Sequence, residues 1–228
     1  IPKMFNWFLH YIKNCNHKSM MHTAKNMHQI LSLSNDAYEE IFQEIDTTGL
    51  VEKKGIIYVW TNKNLKSRKL EIKVRDDLGV KQKHLTQKEI LQLEPNLNPV
   101  FDAGVLYDYA MHARDPHGIL KKLFKLYIDK GGKFIQTDIK SLEQTSINET
   151  VINSEKEKYK FEKTVVASGA FSKNLTDRLG EKIPLDTERG YHVHFKNCDH
   201  LLSRPVIFSN RGFGITPMEQ GLRVVGTV

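Results

Sequence analysis

The stretch best placed to do chemistry is Thr164-Val165-Val166-Ala167-Ser168-Gly169-Ala170-Phe171-Ser172, where an apolar run ends in small residues just ahead of a helical pattern. The run reads as a strand buried on both faces, as in a parallel layer. Small residues at its carboxyl end let a ligand approach the backbone, and a helix start there can receive phosphate oxygens. An ordinary strand–turn–helix junction has the same pattern, so on these residues alone both readings stand. A second candidate is Arg189-Gly190-Tyr191-His192-Val193-His194-Phe195. His192 and His194 share one face of a strand, which suits a metal ion. No carboxylate or cysteine stands at matching spacing, however, and alternation on a half-exposed strand explains the pair equally well; no metal is expected. The third is Arg211-Gly212-Phe213-Gly214-Ile215-Thr216-Pro217, followed by a strand from Leu222 onward. Gly212-x-Gly214 is not a dinucleotide fingerprint, because Pro217 occupies the place of the third glycine and no helix follows. Its glycines suit a backbone lying against a flat ligand, or a bulge. Only eight of the 34 basic residues are arginine, and five of those fall between Arg178 and Arg223. A guanidinium fork grips a carboxylate with two parallel hydrogen bonds, which an ammonium cannot do.

Other chemistries are excluded. There is no G-x-S-x-G elbow, H-E-x-x-H, P-loop or kinase set, and no catalytic acid–base constellation stands out. The two cysteines, Cys15 and Cys198, form no C-x-x-C pair, so a zinc knuckle or redox motif is absent and a reduced, cytoplasmic chain is expected. The net charge of +7 comes from scattered lysines. In the densest group Lys156, Lys158, Lys160 and Lys163 alternate with Glu155, Glu157 and Glu162, which describes a solvated surface and not a nucleic-acid site. No run approaches the roughly 18 apolar residues of a membrane span, and Ile1 to Leu9 lacks the regions of a signal peptide.

The elements that must position these residues can be read in order. Apolar residues at helical spacing between His17 and Ile45 (Met20, Ala24, Met27, Leu31, Tyr38, Ile41, Phe42) predict one or two amphipathic helices. Gly55–Trp60 reads as a strand and Asn62–Gly79 as a polar helix. His84–Leu93 is predicted as a short helix with Thr86 as N-cap and Glu89 completing a capping box. Gly104–Tyr107 is a strand, and a helix begins at His112–Pro116 with Asp115 as N-cap and Pro116 in the first turn. That helix stops at Gly131-Gly132. Strands are expected at Lys133–Thr137, Ile139–Leu142, Thr150–Asn153, Tyr159–Phe161 and Thr164–Ala167, then a short helix to Leu179. Four more follow at Pro184–Phe195, Pro205–Phe208, Gly212–Thr216 and Leu222–Val228. Opening at Ile1 and breaking off inside a strand at Val228, the chain reads as an internal piece of a longer protein.

Taken in order, Val165-Val166-Ala167-Ser168-Gly169-Ala170-Phe171-Ser172, Leu179-Gly180, Pro184-Leu185-x-x-Glu188-Arg189-Gly190-Tyr191-His192-Val193 and Thr216-Pro217-Met218-Glu219-x-Gly221-Leu222-Arg223-Val224-x-Gly226-Thr227 resemble the D-amino-acid oxidase/dehydrogenase family of FAD-dependent oxidoreductases, in its D-amino-acid dehydrogenase-like branch. Upstream, Gly104-Val105-Leu106, Asp115-Pro116 and Gly131-Gly132 fall at the family's separations. The resemblance implies an α/β fold in which a Rossmann-like FAD-binding part is interleaved with a β-sheet substrate domain. Residues 1–110 would be the first substrate-domain excursion, 111–178 the returning FAD-domain segment and 179–228 the substrate-domain sheet. The family's opening G-x-G-x-x-G unit and its C-terminal flavin segment are missing from this sequence.

The resemblance also implies a cofactor, FAD, and a small amino-acid or amine substrate oxidised at its C–N bond by hydride transfer to the flavin. Sarcosine, glycine or a 2-hydroxy acid are the alternatives within the family, and a non-catalytic binding protein on the same fold is the alternative outside it. Ile139 would lie near the adenine; Ala167, Ser168 and Gly169 near the phosphates and ribitol; and Phe171 stands where relatives often carry Trp. The last strands would face flavin and substrate, with Arg223, Arg211 or Arg189 holding the substrate carboxylate and Phe213 beside it. Arg223 is favoured. The electron acceptor is left unnamed, with room for peripheral membrane contact through it.

Overall fold

The computed structural model describes residues 2–62, 65–185 and 187–227. Two compact units emerge: one takes the chain through Tyr127 and resumes over Gly190–Thr227, and the other is Ile128–Arg189. The sequence expectation placed the transitions at 110/111 and 178/179. The observed first boundary comes later because residues 112–116 are held to the first unit. Their backbone pairs with residues 51–52, and the Arg114 and Asp115 amides donate to the Leu50 carbonyl.

The first unit opens with three helices: α1 (Pro2–Asn14), α2 (His17–Leu31) and α3 (Ser34–Phe42). Asn16 caps α2, its side chain accepting the Ser19 amide at 3.0 Å, which supplies a partner to an otherwise orphaned N–H. Two short strands, β1 (Val51–Glu52) and β2 (Ile56–Trp60), lead to α4 (Lys66–Asp77), β3 (Lys83–Thr86) and α5 (Gln87–Leu93). The capping box at Thr86 and Glu89 is present in full. It begins one turn later than the predicted helix, because His84 to Thr86 are drawn into strand pairing. Then come β4 (Ala103–Tyr107), β5 (His112–Ala113) and α6 (Pro116–Asp129), with the Asp115 side chain accepting the His117 amide at 3.0 Å. Residues 63 and 64, at the start of the predicted polar helix, lie outside the described residues.

In the second unit β6 (Ile139–Ser146), β7 (Glu149–Ser154) and β8 (Lys158–Phe161) form an antiparallel meander. Leu142 and Val151 are its buried apolar residues. Beyond it the chain makes α7 (Ser172–Thr176), flanked by two single 3₁₀ turns. The strands predicted at 133–137 and 164–167 do not form: neither segment joins a ladder. Val165 is 89% exposed. An apolar parallel-layer strand needs a neighbour to bond its backbone and bury its side chains, and among the described residues the nearby strands bond only to one another.

The chain returns to the first unit through β9 (Tyr191–Lys196), β10 (Val206–Phe208), β11 (Phe213–Met218) and β12 (Gly221–Thr227). The predicted strand from Pro184 is therefore confined to its second half; residue 186 lies outside the described residues, as does Val228 in the last predicted strand. These strands complete a seven-stranded sheet of order β3-β4-β2-β10-β11-β12-β9, antiparallel except for the β2–β10 pair. One face carries Ile57, Val59, Leu106, Val206, Phe208 and Leu222, closed over by Ile90, Phe101 and Leu202. Each such side chain contributes about 1.5–3 kcal/mol on burial. On the other face α4 lies over Trp60, Val105 and Tyr107. It seats the Arg75 guanidinium 5.1 Å from the Tyr58 ring and the Arg68 guanidinium 5.5 Å from the Trp60 ring. Buried Glu94, after α5, accepts from the Ser203 amide at 2.9 Å, the Ser203 hydroxyl and Arg204 Nε at 2.9 Å. This clamp joins the two stretches of chain that build the sheet.

Candidate functional site

Two clefts gather four of the residues singled out from the sequence as site candidates, Ile139, Ser168 and Phe171 in one and Arg223 in the other. In the second unit, a cleft of about 460 Å³ is lined by Thr137, Ile139, Lys140, Ser168 and Phe171, among others. Ile139, Ser168 and Phe171 are nearly thirty residues apart or more along the chain at its extremes, and the fold brings them to one surface. Phe171 stands 72% exposed at its edge. Thr137 Oγ1 is buried there without a hydrogen-bond partner, a state that normally calls for a ligand group or water. Gly169 adopts φ +55°, and no heavy atom lies within 4 Å of where its Cβ would stand, so the backbone is bare on that side. Ala167 is exposed in the same turn but does not line the cleft. Thr137 escaped the sequence reading because a lone threonine in a predicted strand carries no signal of its own.

In the first unit, Arg223 lies on β12 directly opposite His194 on β9 and Thr216 on β11. Arg223 and His194 line a cleft of about 370 Å³, closed by Arg114, Asp115 and His117 at the start of α6 and by Glu219 in the β11–β12 turn. Arg223 Nε and His194 Nε2 are both buried without a partner. Arg114 Nε in the same cleft also lacks a partner, but its terminal nitrogens, like those of several other arginines, are engaged. Arg114 pairs with Asp199 at 2.9 Å, Arg204 with Glu94, and Arg75 with Glu71 and two rings. The amino end of α6 adds its partial positive charge to the same cleft, while Asp115 and Glu219 contribute carboxylates. Such a surface displays both signs within one small volume. Asp115 and His117 were not foreseen here, since they reach Arg223 only through the tertiary fold.

The remaining candidates lie elsewhere. Arg211 is exposed in the turn before β11, and Arg189 is exposed at the end of the second unit. Phe213 stacks on Phe208 at 4.6 Å on the core-facing side of the sheet. Alternation along β11 therefore puts it on the opposite face from Arg223. Among the described residues no group of three or more His, Cys, Asp or Glu side chains could hold a metal ion. His192 and His194 share a face of β9 as expected, beside Val225 and Arg223 of β12. In the first unit His112 on β5 is buried, and burial holds its imidazole below the ordinary histidine pKa.

The comparison with a family model decides the resemblance noted above: the model for DAO, the FAD-dependent oxidoreductases, matches residues 9–228. The chain belongs to this family. A D-amino-acid oxidase of Bradyrhizobium diazoefficiens is 26% identical over 229 positions, covering all of this chain and 54% of that protein. A D-amino acid dehydrogenase of Neisseria meningitidis is 23% identical over 226 positions, covering 96% of this chain and 54% of that protein. Among solved structures, glycine oxidase from Geobacillus kaustophilus superposes with a TM-score of 0.68 at 21% identity, over 86% of this chain and 53% of that one. L-proline dehydrogenase from P. horikoshii does so with a TM-score of 0.67 at 18% identity, again over 86% and 53%. Both share the fold. The chain thus spans about half the length of the relatives it matches. No described helix of this family member is long and apolar enough to cross a membrane.

The second-unit cleft holds some groups that could meet part of FAD. It offers an unpartnered hydroxyl and an exposed aromatic ring, and Gly169 follows lining residue Ser168 without itself lining the cleft. For the doubly charged pyrophosphate it offers one lysine, Lys140, which Asp138 of the same cleft faces at 3.8 Å, and no glycine-rich turn leading into a long helix.

Proposed function

We propose that this chain is the substrate-sheet and partial cofactor-binding portion of an FAD-dependent oxidoreductase that oxidises the C–N bond of a small amino acid, with D-amino acids the first class to test. The observation that carries the reading is the pair of unpartnered nitrogens, Arg223 Nε and His194 Nε2, in a cleft that also holds Asp115 and Glu219. An amino acid is a zwitterion. Arg223 would bind its carboxylate by charge-assisted hydrogen bonds, and the nearby carboxylates would face its amine. FAD, when bound, supplies the hydride acceptor. The chain's own task is orientation: a fixed carboxylate leaves the Cα–H in one direction only, and restricting that freedom contributes to the rate. No strong protein base is required if the amine enters neutral.

In the second unit Thr137, Ile139, Ser168, Gly169 and Phe171 would contact the cofactor. We infer that segments 133–137 and 164–167 join a sheet whose other strands lie outside this sequence. This chain by itself should then hold FAD weakly, and a titration giving sub-micromolar affinity for it would overturn that inference. The function is tested on the complete natural protein. A flavin spectrum and dye reduction by D-amino acids are expected, with glycine, sarcosine and 2-hydroxy acids run beside them to separate the family's branches. A protein that purifies without flavin and reduces no dye with any of these is a binding protein on the same fold.

A further inference from the structure

The cleft that holds Arg223 is polar almost throughout. Of its nine lining residues only Pro116 and Met218 are apolar, and its volume of about 370 Å³ lies in the ordinary range of small-molecule sites. Part of its charge is already spent. Asp115 Oδ1 accepts the His117 amide at 3.0 Å, and its other oxygen lies so close to Gly118 that a Cβ there would collide with it. That carboxylate is folded onto the first turn of α6, where the helix's partial positive charge offsets it. Arg114 gives its terminal nitrogens to Asp199 at 2.9 Å and Glu52 at 3.8 Å, both outside the cleft. Glu219 differs from Asp115. Its amide donates to the Arg114 carbonyl at 3.0 Å, which anchors the turn, while its carboxylate enters no ion pair among the described residues. Left for a ligand, beside the exposed His117 and Gln220, are Glu219 and three buried nitrogens without a partner: Arg223 Nε, Arg114 Nε and His194 Nε2.

We propose that the amino acid this cleft favours is acidic, its second carboxylate held by Arg114 and His194. The inference rests on reading the cleft as the substrate site. An α-amino acid bound there sets its carboxylate on the Arg223 fork and its amine on Glu219, and those two contacts exhaust the zwitterion. Arg114 Nε and His194 Nε2 are then still without a partner. An aliphatic or aromatic side chain laid against them would displace water and return no hydrogen bond, and buried groups left unpaired count against such a substrate. A side-chain carboxylate returns both bonds, since it accepts from Arg114 Nε and from His194 Nε2 in the tautomer that carries its proton there. The amide of the same shape has only one accepting oxygen, and its NH₂ group sets donor against donor.

The test is steady-state kinetics on the complete natural protein, with D-glutamate set against D-glutamine and D-norvaline, and D-aspartate against D-asparagine. Each acid is expected to exceed its uncharged counterpart by about tenfold or more in kcat/KM. Glutarate should likewise inhibit more strongly than pentanoate, which reads binding without turnover of the ligand. His194→Phe should collapse the acid-to-amide ratio, whereas His194→Gln, which keeps a donor, should preserve most of it. Circular dichroism checks the fold of both; where His194→Phe does not fold, the wild-type ratio and the glutarate comparison decide. D-glutamine or D-norvaline used as well as D-glutamate overturns the proposal and leaves the reading of the cleft standing. So does a ratio that survives in folded His194→Phe. Dye reduction by no amino acid at all overturns the reading itself, and the proposal falls with it.

Discussion

The seven-stranded sheet of the first unit and the apolar segment at 164–167 in the second read alike in sequence, since both are runs of β-branched and aliphatic residues. In the structure they part. Ile57, Val59 and Val206 are wholly buried between paired strands, whereas Val165 stands in the open. Propensity is a statement about side chains on a pleated surface, and the surface exists only where a second strand supplies it. The sheet finds all of its partners among residues 51–107 and 190–227. The 164–167 segment finds none among the described strands, and it leads into the turn that the sequence reading expects near the cofactor.

The comparison can be broken by mutation, beginning with the core. Phe101→Ala should cost about 3–5 kcal/mol in urea unfolding, because its ring is fully buried beneath the sheet. Val165→Ala in this chain should change stability by less than about 0.5 kcal/mol. Equal losses at the two positions would show that the exposed segment is packed after all. The clamp between the two halves of the sheet is next. Glu94→Ala leaves Arg204 without its buried carboxylate, and breaking such a pair typically costs about 3–5 kcal/mol. A loss confined to a few tenths would mean water replaces the carboxylate at little cost.

The clefts give smaller effects. In the complete enzyme Arg223→Lys should retain flavin yet lose about 1.5–3 kcal/mol of transition-state binding, roughly tenfold to a hundredfold in kcat/KM. If steady-state kinetics stay at wild type, the same substitution at Arg211 and then Arg189 tests the remaining arginines. Gly169→Val imposes a side chain on a left-handed backbone, a strain of about 1–2 kcal/mol, and should lower flavin content. Gly169→Asn, which tolerates that backbone, should retain more. Equal flavin content in folded Val and Asn variants would separate the turn from the cofactor.

The smallest expected effect is a pH dependence. Burial disfavours the charged form of His112, so its folded-state pKa lies below the unfolded value near 6.5. The unfolded chain then binds the extra proton first, and stability rises with pH across that window. The histidine's contribution is complete above the unfolded-state pKa and drains away as pH falls through the folded one. Melting curves of wild type and His112→Asn between pH 5 and about 7.5 should converge at the acid end. Parallel curves would place the titration elsewhere.

Local order was legible wherever its cause was local. The Thr86/Glu89 capping box, the Asp115 cap on α6, the Gly131 stop and the strands at Ile56–Trp60 and Ala103–Tyr107 all follow from residues within a few positions of one another. The family itself was legible too, through an ordered series of short motifs. What the tertiary structure alone decided is which of these meet. His194 and Arg223 become neighbours because β9 pairs with β12, and Asp115 and His117 close their cleft from the far side of an excursion through the second unit. Phe213 turns to the core because β11 alternates about Gly214. Thr137 comes to lie beside Ser168. A sequence encodes propensity and period residue by residue, but a strand's partner and a side chain's face depend on where distant residues come to rest, and that is fixed by closing the core.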